Sequence, residues 1–311
     1  VMDLGVDADR GLIGFEFVAK SGNGRLLGQG KDSWCRQHRY VAGAVGDRRV
    51  GFPHDEGYFC TGSRFDHAVT IAAPAFATVA SLQGGGRLVK LHRDGPVFVL
   101  TMDDGENRMN PTWLDAMNSA LDQVDAGDDP VALVTTGEDK FYSNGLDLEW
   151  IMGSGVDMPV FVAGVERLFA RVLSAPYVTV AACNGHTFAA GAMLALSHDF
   201  RIMRADRGFF CLPEVDIKIP FTLGMNSLIT SRMTITAAHE AMVTGRRFGG
   251  EEAAARHIVH HAVAEGDVLA TATAIAAEQA GKDRSTLGTI KERMYGETIR
   301  LLENSPGSEP A

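Results

Sequence analysis

Hydrophobic residues follow two kinds of pattern between residues 88 and 235. Short and almost continuous apolar runs predict strands that are buried on both faces. These runs are VFVLTMD (97–103), VALVTTG (131–137), VTVAACN (178–184) and FRIMRA (200–205). Between the runs, apolar residues recur at helical spacing. Strands that alternate with helices in this way predict parallel βα units, and we therefore expect an α/β fold.

Two of the predicted helices are clearly amphipathic. The first begins at Asn110-Pro111, an N-cap residue followed by a first-turn proline. Its apolar stripe consists of Leu114, Met117, Leu121 and Val124, and that of the second helix consists of Phe161, Val165, Leu168, Phe169 and Val172. A third helix is expected at about 187–197, and after about Ile235 the pattern is almost entirely helical.

Residues 1–86 differ in character from the rest of the chain. They are rich in Gly, Arg, His and Asp, have no sustained periodicity, and close with the run Gly84-Gly85-Gly86. This run lacks the pattern of a phosphate-binding loop, and we interpret it as a linker. We expect residues 1–86 to be an extension that is poorly ordered or not native to the protein. Residues 87–250 should form the α/β core, and residues 251–311 a helical region.

Composition and charge exclude several classes of function. The 311 residues are 45% hydrophobic and 22% charged, which is typical of a soluble globular protein. With 39 acidic and 29 basic side chains the formal net charge is −10, which argues against a nucleic-acid partner. The most apolar stretch, residues 68–82, contains Pro74 and is too short to span a membrane. We expect neither nucleic acid nor a membrane as partner.

Cysteine usage and the first residues of the sequence bear on the compartment. The four cysteines are scattered and form no CxxC pair, which favours a reducing environment: Cys35, Cys60, Cys183 and Cys211. The first residues, VMDLGVDADRG, lack the basic and apolar segments of a signal peptide. We therefore expect a cytoplasmic protein.

Two turns that follow predicted strands are rich in small residues. They are FYSNGLDL (141–148) and NGHTFAAGAMLAL (184–196). Small residues let a ligand approach the backbone, and a helix start offers unpaired N–H groups. Two such turns together can aim donors at one developing oxyanion. Taken singly, each turn is better explained by tight strand–helix packing, and only the combination of the two favours a binding site.

Both turns, followed by HDFRIMRADRGFFCLPEVDIKIPFTLG (198–224) and MVTGRRF (242–248), resemble the crotonase superfamily of enoyl-CoA hydratases and isomerases. The resemblance covers about residues 88–300. It implies a spiral of ββα units, followed by a helical region that builds homotrimers or hexamers. It also implies an acyl-CoA thioester as substrate. Because coenzyme A is part of that substrate, no metal or redox cofactor is expected.

The resemblance implies three catalytic positions. The backbone N–H groups of Leu146 and Ala190 match the family's two oxyanion donors, and Glu214 in LPEVDI matches its later glutamate. Family hydratases use a second glutamate, but here that position is Met193, which cannot exchange a proton. One carboxylate is enough for a Δ3-Δ2-enoyl-CoA isomerase, which moves a proton from C2 to C4. We therefore expect an isomerase of fatty acyl-CoA β-oxidation.

Further residues are implied to bind the substrate. Lys140 is a candidate for a coenzyme A phosphate, although a surface lysine is equally typical there, and Lys291 and Tyr295 are candidates for its nucleotide. Phe221 and Met193 are expected to be apolar walls. Asp147 belongs to this set, but a capping role for the next helix is favoured over catalysis. The remaining members come from the two turns: Ser143, Asn144, Gly145, Gly185, His186, Ala189 and Gly191.

Two alternatives remain open from the sequence. One is an enoyl-CoA hydratase, or another crotonase-type acyl-CoA enzyme, that holds its water through groups not identified in the sequence. The other is a non-catalytic crotonase-like binding protein, against which the presence of Glu214 argues.

Overall fold

The computed structural model describes residues 88–305 and, before them, the backbone of three short strands. The chain divides into two units, Val1–Thr70 and Ile71–Ala311. In the first unit, β1 (Asp3–Asp7), β2 (Leu12–Glu16) and β3 (Trp34–Cys35) form an antiparallel sheet. The expectations for the rest of residues 1–86 lie outside the described residues and stay predictions.

The second unit alternates strands and helices and then becomes helical. Its elements are β4 (Val89–Asp94), β5 (Val97–Met102), α1 (Pro111–Asp125), β6 (Ala132–Gly137), β7 (Phe141–Ser143), α2 (Leu148–Ser154), α3 (Met158–Ser174), β8 (Val178–Cys183), β9 (His186–Phe188), α4 (Ala190–Ser197), β10 (Phe200–Arg204), β11 (Phe210–Cys211), α5 (Glu214–Ile217), α6 (Leu223–Arg232), α7 (Ile235–Thr244), α8 (Gly250–Ala255), β12 (His261–Val263), a 3₁₀ turn (Glu265–Asp267), α9 (Val268–Gln279) and α10 (Arg284–Glu303).

A six-stranded sheet forms the base of the second unit, in the order β12-β10-β8-β6-β5-β4. The neighbouring strands from β5 to β12 are parallel, which confirms the predicted βα units. The pairing of β4 with β5 is antiparallel and was not predicted. All six residues of β6 and of β8 are buried, as their continuous apolar runs required.

A second sheet, in the order β11-β9-β7, is small and parallel. Its strands β7 and β9 are parts of the two small-residue segments, 141–148 and 184–196. Its middle strand corrects the prediction of a helix over 187–197, because the backbone stays extended to Phe188 and α4 begins only at Ala190. His186 N–H donates to Lys140 O, and Thr187 N–H donates to Phe209 O. These bonds give the extended segment the backbone partners that a helix would have supplied.

Helices α1 and α3 cover one face of the large sheet. The Asn110 side chain accepts from Trp113 N–H at 3.0 Å, so the predicted N-cap of α1 is confirmed. Met117, Leu121 and Val124 are buried, whereas Leu114 is only half-buried at the edge of the core. All five apolar residues of the predicted stripe of α3 are buried. No helix among residues 88–305 is long and apolar enough to cross a bilayer.

The C-terminal part is helical, as predicted, except for β12, which adds an edge strand to the large sheet. Its longest helix, α10, packs against α3 and α6. Lys291 of α10 is 3% exposed, and its ammonium donates to Tyr177 O at 2.9 Å and to Asp199 Oδ2 at 2.8 Å. Burial lowers the pKa of Lys291, while the ion pair with Asp199 opposes that shift.

Replacing Lys291 by Met should destabilise the fold by about 3 kcal/mol, because it leaves Asp199 without its buried cation. Urea unfolding measures the loss. Lys282→Met is the matched control, since Lys282 is exposed and should change the free energy of unfolding by less than about 0.5 kcal/mol. Equal effects of the two substitutions would contradict a stabilising role for the pair.

Candidate active site

An apolar cavity of about 500 Å³ lies between the two small-residue turns and helices α3 and α6. It is lined by Asn144, Leu146, Leu148, Met158, Pro159, Val162, Phe188, Ala189, Ala190, Met193, Pro213, Glu214, Ile217, Lys218, Ile219, Pro220, Thr222 and Met225. Six of the residues predicted from the sequence are therefore brought together: Leu146, Ala190, Glu214, Asn144, Ala189 and Met193. Glu214 is the one carboxyl in this lining.

The two turns are in direct contact through glycines. A Cβ placed on Gly145 would lie 2.9 Å from Ala189 Cβ and 3.1 Å from Ala190 N. A Cβ on Gly191 would lie 2.4 Å from Ser143 O. Only glycine permits these approaches, and Gly145 also has a φ of +84° that favours glycine. The contact brings the backbone after Gly145 beside the start of α4.

At this contact the backbone N–H groups of Leu146 and Ala190 have no protein acceptor among residues 88–305. Ala190 is the first residue of α4, where the helix itself supplies no acceptor for the N–H. The preceding Ala189 has φ 50° and ψ −125°, a left-handed conformation that is strained for a residue with a Cβ. Both N–H groups belong to residues that line the cavity, so they are suited to hold an oxygen atom there.

Glu214 begins the short helix α5 and is 6% exposed. Its Oε2 is buried and has no hydrogen-bond partner among the described residues. Burial disfavours the ionised form and raises the pKa of Glu214 to about 7, with a backbone hydrogen bond opposing the shift. A carboxyl with this pKa is half ionised near neutral pH and can both accept and return a proton.

Met193 lies on α4 and faces the same cavity, and it is 1% exposed. Its backbone N–H donates to Ala189 O at 3.1 Å, which fixes it in the first turn of the helix. The thioether adds an apolar wall and no titratable group.

Several predicted substrate-binding residues support the turns instead of lining the cavity. The Ser143 hydroxyl donates to Asn107 O at 2.7 Å and accepts from Gly145 N–H at 3.2 Å. Asp147 caps α2 by accepting from Trp150 N–H at 3.1 Å. A Cβ on Gly185 would lie 2.0 Å from Lys140 O, so this glycine permits close strand approach.

His186 lies in an aromatic cluster and does not line the cavity. Its ring is 5.3 Å from Phe141, 5.1 Å from Phe188 and 5.8 Å from Phe209, measured between centroids. Its Nδ1 is buried without a partner in the described chain. Burial lowers the pKa of His186, with further lowering by Arg207 and Arg247. We therefore interpret His186 as a packing residue whose ring fills the space between its aromatic neighbours.

Three residues predicted to contact the substrate do not line the cavity, and their contact with substrate stays a prediction. Lys291 is buried, and its ammonium is ion-paired with Asp199. The Tyr295 hydroxyl accepts from Arg232, whose guanidinium stacks on the ring at 4.9 Å. Phe221 packs against the main core, and its neighbours Pro220 and Thr222 line the cavity. The helical spacing of Lys291 and Tyr295 in the sequence does not show whether their polar groups are already paired within the protein.

Other lining residues were missed from the sequence, chiefly Met158 and Val162 on α3 and Met225 on α6. Val162 lies outside the predicted stripe of α3 and is nevertheless buried. The apolar face of α3 is wider than packing against one core requires. This width could have identified the helix as a wall of the cavity. Nothing in the sequence FAAG (188–191) indicates the strained backbone conformation of Ala189.

Replacing Gly145 by Ala should cost more stability than the same change at Gly95. Both glycines have positive φ, but a Cβ at Gly95 meets no atom within 4 Å, so it adds only backbone strain. The clash at Gly145 adds about 1–3 kcal/mol to that strain. Thermal and urea unfolding of both variants measure the difference. Equal losses would mean that the two turns are not in tight contact.

Comparison with known proteins extends these observations. The family model described as Enoyl-CoA hydratase/isomerase matches residues 92–305. Enoyl-CoA delta isomerase 3 of Arabidopsis thaliana is 35% identical over 224 residues, which cover 68% of this chain and 94% of that protein.

Solved structures agree with the sequence match. A probable enoyl-CoA hydratase from Mycobacterium tuberculosis is 29% identical with a TM-score of 0.66, over 70% of this chain and 93% of that one. Human mitochondrial delta3-delta2-enoyl-CoA isomerase is 25% identical with a TM-score of 0.64, over 70% of this chain and 86% of that one. The predicted crotonase-type fold is confirmed, and the chain belongs to the enoyl-CoA hydratase/isomerase family.

Proposed function

We propose that this protein is a Δ3-Δ2-enoyl-CoA isomerase that acts on fatty acyl-CoA thioesters through one glutamate. The observation that carries the proposal is that Glu214 is the one carboxyl lining the cavity, while Met193 occupies the place of a second. Relatives named enoyl-CoA delta isomerase, from Arabidopsis thaliana, are 32–35% identical and support it.

Isomerisation requires hydrogen-bond donors for the thioester oxygen. The N–H groups of Leu146 and Ala190 donate to this oxygen, whose negative charge grows as the dienolate forms. Donors that are already oriented stabilise that charge without reorganising, and each is worth about 3 kcal/mol in comparable sites. The start of α4 adds its positive dipole end.

The proton moves through Glu214. Its carboxylate takes a proton from C2 of a 3-enoyl thioester, the C–H electron pair forms a C1–C2 double bond, and the carbonyl π pair moves onto the thioester oxygen to give the dienolate. The carboxylic acid then returns the proton to C4. The C3–C4 pair takes up this proton, the C1–C2 pair becomes the C2–C3 double bond, the carbonyl re-forms, and the glutamate ends ionised as it began. Apolar walls, among them Met193, Val162 and Ile219, keep water from the dienolate. No metal or redox cofactor enters this scheme.

Hydration is the rival reaction of the same family. It requires a water to be activated and a proton to be delivered, and family hydratases divide this work between two glutamates. Met193 can neither bind a water strongly nor exchange a proton, which favours isomerisation. A non-catalytic binding protein has no need to bury an unpartnered carboxyl, whose desolvation costs stability.

A homotrimer or a hexamer is the proposed assembly. Large apolar side chains in the C-terminal half remain exposed on the single chain and would be covered by neighbouring copies, among them Ile235 at 72% and Met294 at 64%.

Product analysis tests the function. Incubation with 3-enoyl-CoA should give 2-enoyl-CoA, and incubation with 2-enoyl-CoA should give little 3-hydroxyacyl-CoA. Glu214→Gln should lower kcat at least about 100-fold, because the amide keeps the shape and loses the base. Asp216→Asn on the same short helix is the control and should retain activity, since Asp216 is exposed and does not line the cavity. Efficient hydration by the wild type, or an active Glu214→Gln, contradicts the proposal.

The pH profile gives a second test. The ionised form of Glu214 is the base, and the pKa of about 7 means that protonation removes it below neutrality. The ratio kcat/KM should therefore rise about tenfold per pH unit up to about pH 7 and then level off. Initial rates between pH 5 and 9 measure this, with enzyme stability checked at each pH. A profile that is flat across pH 6–8 would contradict the raised pKa.

A further inference from the structure

Glu166 is a second buried carboxyl, and the proposed mechanism does not use it. It lies on α3 and is 0% exposed. Val162, one helical turn earlier on the same face, lines the cavity. Glu166 therefore lies directly behind one wall of the site.

The carboxyl of Glu166 is bonded to the start of α6. The Thr222 hydroxyl donates to Glu166 Oε1 and accepts from Met225 N–H at 3.1 Å, so Thr222 is at once the N-cap of α6 and the partner of Glu166. A Cβ on Gly224 would lie 2.7 Å from Glu166 Oε1, which explains the glycine at this approach. Burial raises the pKa of Glu166, and hydrogen bonds from Ser305 and Thr222 oppose the shift.

The segment between Glu214 and Thr222 connects this contact to the base. Lys218, Ile219, Pro220 and Thr222 all line the cavity. At one end of the segment, Ile219 N–H donates to Glu214 O at 3.0 Å, and Lys218 turns the chain with a φ of +60°. At the other end, the Thr222 hydroxyl joins the segment to α3 by its hydrogen bond to Glu166.

We infer that Glu166 is a positioning residue, which holds the loop 218–222 through Thr222 and thereby fixes Glu214 and the α6 wall against the acyl chain. The inference rests on the proposed isomerase function for its kinetic consequence. Proton transfer at two carbons by one carboxyl requires the base within a narrow range of positions, and a displacement of about 1 Å can cost about 100-fold in rate.

Four variants of the pair test the inference in the full-length protein. Thr222→Val keeps the side-chain volume and removes the hydroxyl, and Glu166→Leu removes the acceptor while leaving the cap. Each should lower kcat at least about tenfold and leave the Kd of a saturated acyl-CoA within about threefold. Thr222→Ser and Glu166→Gln keep the hydrogen bond and should retain kcat within about threefold of the wild type.

A matched control separates positioning from a general loss of stability. Ser227 Oγ and Thr298 Oγ1 are 2.7 Å apart and join the same helix α6 to α10, without either residue lining the cavity. Thr298→Val should lower the unfolding midpoint by an amount similar to Thr222→Val and keep kcat within about twofold. An equal fall in kcat for Thr298→Val would overturn the inference.

Hydrogen exchange gives a readout that does not depend on turnover. Amides of residues 214–225 should exchange faster in Thr222→Val than in the wild type, while those of α1 should not change. If the wild type fails to isomerise 3-enoyl-CoA, the proposed function fails, and this exchange alone decides whether Glu166 and Thr222 hold the loop. Unchanged exchange in 214–225, or a Thr222→Val enzyme with the wild-type kcat, overturns the inference.

Discussion

The close contact of two backbone turns is the constraint from which the site is built. Gly145 lies against Ala189 and Ala190, and Gly191 lies against Ser143, at distances that exclude any side chain at either glycine. The contact brings Leu146 and Ala190, whose N–H groups have no acceptor among residues 88–305, into the lining of the same cavity. The strained φ of Ala189 is tolerated because the β9–α4 turn is held by bonds to Cys211 O and Lys140 O.

Burial of one carboxyl complements this contact. Placing Glu214 among apolar side chains raises its pKa toward the pH at which a proton is most easily exchanged. Under the proposed function the same walls strengthen the action of the two N–H donors, because electrostatic interactions strengthen where water is excluded. A cavity lined by one carboxyl and two backbone donors suits a reaction that moves a proton within one substrate.

The sequence predicted the parts of the fold that depend on burial. Strands such as β6 and β8 are buried on both faces and are read directly from their apolar runs. The strand β9 was missed because its three residues take their partners from β7 and β11, which are distant in sequence. The cavity-lining position of Glu214 followed from a motif, whereas the ion pair of Lys291 with Asp199 was not predicted, because the two residues are 92 positions apart.

The central claim is that one carboxyl carries one proton between two carbons without exchange with water. The most direct test is a single turnover of 3-enoyl-CoA that carries deuterium at both C2 positions, with the product analysed by mass spectrometry. A shuttle through Glu214 predicts that most product molecules keep both labels, one at C2 and one at C4. Complete loss of one label to solvent, with protium at C4 in every molecule, would contradict the account.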